Sequence, residues 1–135
     1  MQFNTKIAVV VREDLAMWQK LNVTAFTISG LTQLDSIMGK AYVDASNLAY
    51  LPMLGQPVLV FKAPSHKIAT IHNRILNRGV HHTIYTEELF ATSHDDANRA
   101  AVKAVATADL NLVGLAMHGD RKMVDKVVKG LKLHD

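Results

Sequence analysis

Three short runs of apolar residues, each bounded by polar ones, constrain the fold of this chain most strongly. They lie in residues 5–12 (TKIAVVVR), 57–62 (PVLVFK) and 110–117 (LNLVGLAM). Runs of this length that are rich in β-branched residues are typical of strands buried on both faces of a parallel or mixed sheet. A fourth segment, residues 80–86, follows a glycine and is also predicted to be a strand.

Helical patterns fill most of the chain between these strands. Apolar residues keep helical spacing over residues 14–37, 65–79 and 120–131, and residues 93–109 predict a further helix with a small-residue face. The first helix is expected to bury the side of Leu21, Ala25, Ile28 and Leu31. Residues 41–44 and 49–51 could pair as a short hairpin around Ser46 and Asn47.

The order of these elements predicts the fold class. Residues 57–86 read as strand, helix and strand, so we expect their two strands to be parallel with a right-handed crossover. The chain is predicted to be one domain, residues 1–135. Its expected architecture is α/β, with a mixed, mostly parallel four-stranded sheet and helices on both faces.

The composition excludes several kinds of site. The chain of 135 residues has no cysteine, which rules out disulfides, thiolate metal sites and a cysteine nucleophile. Its first eleven residues contain only a five-residue apolar run, too short for a signal-peptide core or for a membrane span of about 20 residues. We therefore expect a cytoplasmic protein without a membrane partner. A net charge of +3 does not by itself imply a nucleic-acid partner.

Polar side chains follow the predicted strands of residues 5–12 and 80–86, where an open α/β sheet binds its ligands. Others lie early in the helices that come next. The candidate site residues are Arg12, Asp14, Lys20, Asn22, Thr86, Glu87, Glu88, Thr92, His94 and Arg99. If the strand ends converge, Glu87 or His94 could exchange protons with a bound molecule. A cation such as Arg12 or Lys20 could hold an anionic group.

These residues also have possible structural roles. Asp14 could cap the first helix, and Arg12 could pair with a nearby acid. Asp95 and Asp96 could interact favourably with the dipole of the helix that they begin. For any single residue the structural role is the more common one. For the group as a whole a ligand site is favoured, because side chains such as Asn22 and Glu88 have no obvious structural duty.

Two further patterns are ambiguous. His81 and His82 suggest a metal site, but adjacent strand residues point to opposite faces, so we predict neither a metal nor another cofactor. Lys122, Lys126 and Lys129 share one side of the last helix and could contact the phosphates of a tRNA. Such a stripe is more often the solvated face of an amphipathic helix.

The opening of the chain resembles that of the type II peptidyl-tRNA hydrolases. The shared pattern is an apolar strand, then Arg-x-Asp-Leu-x-Met, then a helix, and here it reads from Lys6 to Met17. Later strands and helices match this family as patterns over roughly two thirds of the chain. The resemblance implies a peptidyl-tRNA hydrolase type II-like fold and a homodimer. Segments such as residues 21–26, 85–90 and 94–95 resemble more closely a bacterial family of unassigned function related to these hydrolases.

The chain departs from the hydrolases at the positions that they use for chemistry. Without a gap, Leu21, Ala25 and Ile28 align with their lysine, glutamine and histidine. A shift of one residue brings Lys20, Thr24 and Thr27 to those positions instead. At the second motif the aspartate becomes Glu87, the arginine becomes Phe90, and the threonine is recovered at Thr92 only by a shift of one place.

Three functions are compatible with these observations. The first is a catalytically diverged relative that binds a small anionic or nucleotide-like ligand near Arg12, Lys20 and Glu87. The second is a peptidyl-tRNA or aminoacyl-ester hydrolase with a site rebuilt around Glu87, Thr92 and His94. The third is a protein-interaction module whose crevice is closed by the inserted helix.

Overall fold

A five-stranded mixed sheet with helices on both faces forms the body of the protein, in a computed structural model that describes residues 3–34 and 36–135. The strands are β1 (Thr5–Arg12), β2 (Tyr42–Val43), β3 (Ala49–Tyr50), β4 (Val58–Ala63), β5 (His81–Thr86), β6 (Leu112–Asp120) and β7 (Lys132–Leu133). The helices are α1 (Met17–Leu31), α2 (Ile68–Arg78), α3 (Asp95–Lys103) and α4 (Arg121–Val128). Short 3₁₀ turns cover Ser65–Lys67, Glu87–Ala91 and Thr107–Asp109.

The sheet differs from the predicted four-stranded, mostly parallel one. Its strand order is β5-β6-β1-β4-β7, and among the described residues only β1 and β4 pair in parallel. The two strands predicted in residues 57–86 share one direction, as expected, but they do not pair with each other, since β1 and β6 lie between β4 and β5. The strand β7, which the sequence did not predict, adds an antiparallel edge beside β4.

Strands β1, β4 and β5 nevertheless run in the same direction. β1 is parallel to β4, and β5 is antiparallel to β6, which is itself antiparallel to β1. The carboxyl ends of these three strands therefore lie at one edge of the sheet. β6 begins at this edge with Leu112, so four strands contribute residues to it.

Apolar side chains cover both faces of the sheet. One core cluster joins α2 and α4 to the sheet through residues such as Ile71, Ile75 and Val124, all nearly or fully buried. The other joins α1 to the opposite face through Val23, Leu31 and their neighbours. The prediction of helices on both faces is thus confirmed.

Helix α1 is shorter and turned differently from its prediction. It begins at Met17 with Ala16 as N-cap, so Asp14 does not cap it. Its buried residues are Val23, Thr27 and Leu31, whereas Leu21, expected to be buried, is exposed. The helix packs closely on β5, because a Cβ at Gly30 would lie 2.5 Å from Thr83 Cγ2.

The predicted hairpin and the predicted inserted helix are both present. β2 pairs with β3 in an antiparallel ribbon, and Asn47 at its turn has a left-handed backbone with φ of 66°. α3 occupies the centre of the insert and begins at Asp95, with His94 as its N-cap. No helix in the described part of the chain is long and apolar enough to cross a membrane.

Candidate functional site

The ends of β1 and β5 meet at the edge of the sheet, as the sequence predicted. Arg12 Nε donates to Asp14 Oδ1 at 2.6 Å, and Arg12 Nη2 lies 3.8 Å from Glu87 Oε1. Asn111 Nδ2, from the residue before β6, donates to Glu87 Oε2 at 2.7 Å. The Arg12 side chain is only 14% exposed. In this cluster Arg12 joins the ends of three strands. Its positive charge is already balanced by the carboxylates of Asp14 and Glu87.

Beside this cluster a cavity of about 420 Å³ opens between α1 and the segment from β5 to α3. It has the size of known small-molecule sites, which occupy about 300–1,000 Å³. Its lining combines aromatic rings with amide, hydroxyl and imidazole groups. The lining residues used below are Trp18, Asn22, Phe26, Tyr85, Phe90, Thr92, His94 and Asn98.

Four aromatic rings form one wall of this cavity. The ring centroids of Trp18 and Phe90 are 5.7 Å apart in an edge-to-face arrangement. Tyr85 lies 5.0 Å from Phe90 and 6.2 Å from Phe26. Tyr85 is buried, and burial raises the pKa of its hydroxyl, which therefore stays protonated near neutral pH. Trp18 and Phe26 are exposed, and so a molecule in the cavity can reach their rings.

The opposite wall is polar and held by local hydrogen bonds. His94 caps α3, with its Nδ1 accepting from the Ala97 backbone N–H at 3.2 Å. In the neutral ring this leaves the proton on Nε2. The Thr92 hydroxyl donates to the Leu89 carbonyl oxygen at 3.0 Å and also contacts the Asn98 amide. Thr92 and His94 are thus fixed by the fold next to the cavity.

The other predicted site residues lie elsewhere. Lys20 is on another side of α1, where its Nζ is 3.1 Å from His134 Nε2. Thr86 is buried within the sheet opposite Leu112. Glu88 is exposed on the turn after β5. Arg99 forms ion pairs with the two acids at the start of α3, Asp95 and Asp96, and its hydrogen bonds to them raise its pKa further.

The sequence therefore predicted part of the site but not its aromatic wall. Asn22, Thr92 and His94 line the cavity, while Arg12, Asp14 and Glu87 form the cluster beside it. The missed signal was the spacing of Trp18, Asn22 and Phe26, which are four residues apart and so share one side of a helix.

The pair His81 and His82 and the lysine stripe of the last helix lie outside the cavity. His82 Nε2 is 3.2 Å from His72 Nε2, while His81 lies opposite His118 on β6. Over residues 3–34 and 36–135, no three histidine, aspartate or glutamate side chains come together as metal ligands would. Lys122, Lys126 and Lys129 are exposed on and just after α4, across the sheet from the cavity.

The fold and the site define a mixed α/β domain with a cavity at the carboxyl ends of its strands, lined partly by aromatic rings and partly by polar side chains. The chain belongs to the family described as "Protein of unknown function (DUF2000)", whose model matches residues 5–135. It is similar to the protein of unknown function Atu0240 from Agrobacterium tumefaciens strain C58, with 45% identity and a TM-score of 0.94 to its solved structure. That match covers 99% of this chain and 100% of the other. No curated protein matches. The predicted membership of a family of unknown function is confirmed.

Proposed function

We propose that this protein binds a small planar ligand, of nucleobase or nucleoside type, in the cavity between α1 and α3. The observation that carries the proposal is the pairing of exposed aromatic rings with side-chain amides around one space of about 420 Å³. The proposed ligand is nucleotide-like, as expected from the sequence, and its ring system is the part that the protein recognises.

The aromatic wall supports a planar ligand. Trp18 and Phe26 both present apolar rings to the cavity although each is more than half exposed. Exposed aromatic rings in a concave site favour stacking, and a stacked base contributes about 1–3 kcal/mol to binding. An aliphatic ligand would use these rings less well, since it has no π-face of its own.

The amides support a ligand with mixed donors and acceptors at its edge. Asn22 and Asn98 each carry one carbonyl oxygen and two N–H groups, of which the Asn98 oxygen already contacts the Thr92 hydroxyl. An asparagine amide can bind the edge of a purine through a donor and an acceptor together. The His94 imidazole adds another polar group at the cavity wall.

Charge favours the ring over a phosphate as the recognised group. No lysine or arginine lines the cavity within the part of the chain that the structure describes. Arg12 and Arg99 are paired with carboxylates, and Lys20 faces another groove. We therefore expect a nucleoside to bind at least as tightly as its 5′-phosphate, although the sequence led us to expect an anionic ligand.

The hydrolase alternative has less support from the geometry. Glu87 is bound by Asn111 and Arg12, Thr92 by its own turn, and His94 by the first turn of α3. The Nδ1 lone pair of His94 and the hydroxyl proton of Thr92 are thereby already used within the fold. Kinship with the type II peptidyl-tRNA hydrolases stays a prediction, and the proposed ligand site does not depend on it.

The fluorescence of Trp18 provides a direct test, because it is the single tryptophan of the chain and lines the cavity. Purified protein would be titrated with a panel of nucleobases, nucleosides and their monophosphates. We expect at least one nucleobase or nucleoside to quench the emission in a saturable way. Asn22→Ala should raise the dissociation constant of that ligand about three- to tenfold, the loss expected for one neutral hydrogen bond.

A matched control separates the cavity from the helix. Ser29 is an exposed polar residue of α1 that does not line the cavity, so Ser29→Ala should leave the binding curve unchanged. The proposal is wrong if no compound in the panel quenches saturably up to about 1 mM, a dissociation constant that corresponds to about 4.1 kcal/mol. Equal affinities for the Asn22→Ala and unsubstituted proteins would also contradict it.

A further inference from the structure

A two-stranded arm, residues 38–54, extends from the body of the protein. β2 and β3 form its outer part, and at its base Gly39 N–H donates to the Met53 carbonyl oxygen at 2.7 Å. Every residue from 38 to 51 is exposed. Isolated two-stranded hairpins are at best marginally stable in water, so an arm of this kind needs a surface on which to pack.

The tip of the arm is nevertheless well defined. The Asp44 carboxylate accepts hydrogen bonds from the backbone N–H groups of Ser46 at 2.9 Å and Leu48 at 3.1 Å. It also accepts one from the Tyr50 hydroxyl at 2.7 Å, which together with the backbone bonds lowers the pKa of Asp44. These bonds shape the turn without any contribution from the body. The arm therefore presents a preformed surface to a partner.

That surface is apolar. Lys40 and Asp44 are the charged residues of the arm, and Asp44 is engaged at the turn. Leu51 is 87% exposed. The large apolar side chains that the arm exposes are Met38, Tyr42, Val43, Leu48, Tyr50, Leu51 and Met53.

A matching apolar groove lies on the same chain, along the outer side of α1. It has a volume of about 460 Å³ and runs between α1, the strand residue Val60 and the C-terminal residues. Met17 and Leu21 line it and are each 64% exposed. Lys20 and Asp135 stand in its lining, so the groove, like the arm, carries one charge of each sign.

The apolar area of the two surfaces is large enough for a dimer. The groove follows residues 17–25 of α1, which cover about 14 Å at 1.5 Å per residue, the length of about four extended residues of the arm. With aromatic side chains of about 150–250 Å² each, the exposed apolar residues of the arm and of the groove amount to an area on the order of 1,000 Å². A standard interface buries about 800 Å² per partner, whereas the largest patch of a monomer is about 300–600 Å².

We propose that the occupant of this groove is the arm of a second copy of the chain, so that two copies exchange arms around a two-fold axis. Both surfaces are present on every chain, and a two-fold axis therefore forms the same contact twice. The groove also lies on a different side of α1 from the cavity, so the dimer does not depend on the proposed ligand.

The mass of the full-length protein in solution, measured by sedimentation equilibrium, tests this arrangement. We expect a dimer. Leu51→Asp on the arm and Leu21→Asp in the groove should each raise the dissociation constant at least about 100-fold, because each places an unpaired carboxylate in both halves of the interface. Leu76→Asp is the matched control, since Leu76 is 45% exposed on α2, on the opposite side of the sheet.

Mixing the two disruptive variants distinguishes arm exchange from other dimers. A heterodimer of Leu51→Asp and Leu21→Asp chains keeps one intact arm–groove contact, so the mixture should dimerise more tightly than either variant alone. A monomeric unsubstituted protein would overturn the proposal. So would an unchanged dimer in either variant, or a mixture no tighter than its components. Circular dichroism would verify that both variants, which alter exposed residues only, retain the fold.

Discussion

Alanine at Gly114 tests how closely α1 is held against the sheet, on which the cavity wall depends. Gly114 lies on β6 beneath Val23, and an added Cβ would be 2.1 Å from Val23 Cγ1 and 3.3 Å from the Val10 carbonyl oxygen. Carbon atoms pack best at about 3.5–4.0 Å, so Val23 would have to move by about 1.5 Å. Val23 is fully buried, and a valine in a helix has one strongly preferred rotamer.

We expect Gly114→Ala to lower the free energy of unfolding by about 1–3 kcal/mol, the usual effect of overpacking a core. Without the clash, Gly114→Ala would instead raise the free energy of unfolding. Gly114 does not have a left-handed backbone, and glycine-to-alanine substitutions at such positions stabilise by about 0.4–1 kcal/mol through the unfolded chain. The sign of the measured change therefore reports the contact itself.

A double-mutant cycle with Val23→Ala identifies the contact as the cause. Val23→Ala alone should destabilise by about 2 kcal/mol, because it removes buried methyl groups and leaves a cavity. The double variant should be about 0.5–3 kcal/mol more stable than the sum of the two single effects predicts. Urea unfolding followed by far-UV circular dichroism measures all four proteins. An additive cycle, or a Gly114→Ala protein as stable as the original, would refute the reasoning.

Two further predictions concern ionisable groups. Burial, and then the neighbouring His82, lowers the pKa of His72 below its usual 6.5. The unfolded chain therefore takes up a proton on His72 at a higher pH than the folded chain does. The stability that neutral, buried His72 contributes is thus complete above pH 6.5 and is lost as the pH falls through the folded pKa. Urea midpoints on both sides of pH 6.5 should differ less in His72→Leu than in the unsubstituted protein. The second prediction is that purified protein leaves peptidyl-tRNA intact, because Glu87 is engaged by its neighbours. Release of free tRNA that is lost on Glu87→Ala would contradict it.

Most of the strands could be predicted from the sequence, but the antiparallel direction of β6 could not. Continuous apolar runs indicate burial on both faces, which holds for a central strand of either direction. β6 is such a strand: it is buried on both faces but enters antiparallel between β1 and β5. The two-residue strand β7 forms because it meets an open edge of β4, and a contact between segments so far apart leaves no local signal.

The site was predictable where it depends on strand ends. Polar residues after two strands of the same direction were expected to converge, and Arg12 and Glu87 lie 3.8 Å apart. The cavity depends instead on the rotation of α1, and here the prediction was wrong. Leu21 and Ala25 keep helical spacing as well as Val23 and Thr27 do, so hydrophobicity alone does not identify the buried side.

Helix α1 carries apolar residues on more than one side, and this is why its rotation could not be predicted. A helix on a sheet normally buries one apolar stripe and exposes a polar side. α1 buries the side of Val23, yet Trp18 and Phe26 line the cavity on a second side. Met17 and Leu21 line the groove on a third. Contiguous apolar patches on an exposed surface mark binding sites, whereas single exposed apolar residues are common. The two exposed sides of α1 are therefore best explained together, one by the ligand cavity and the other by the arm of a second copy.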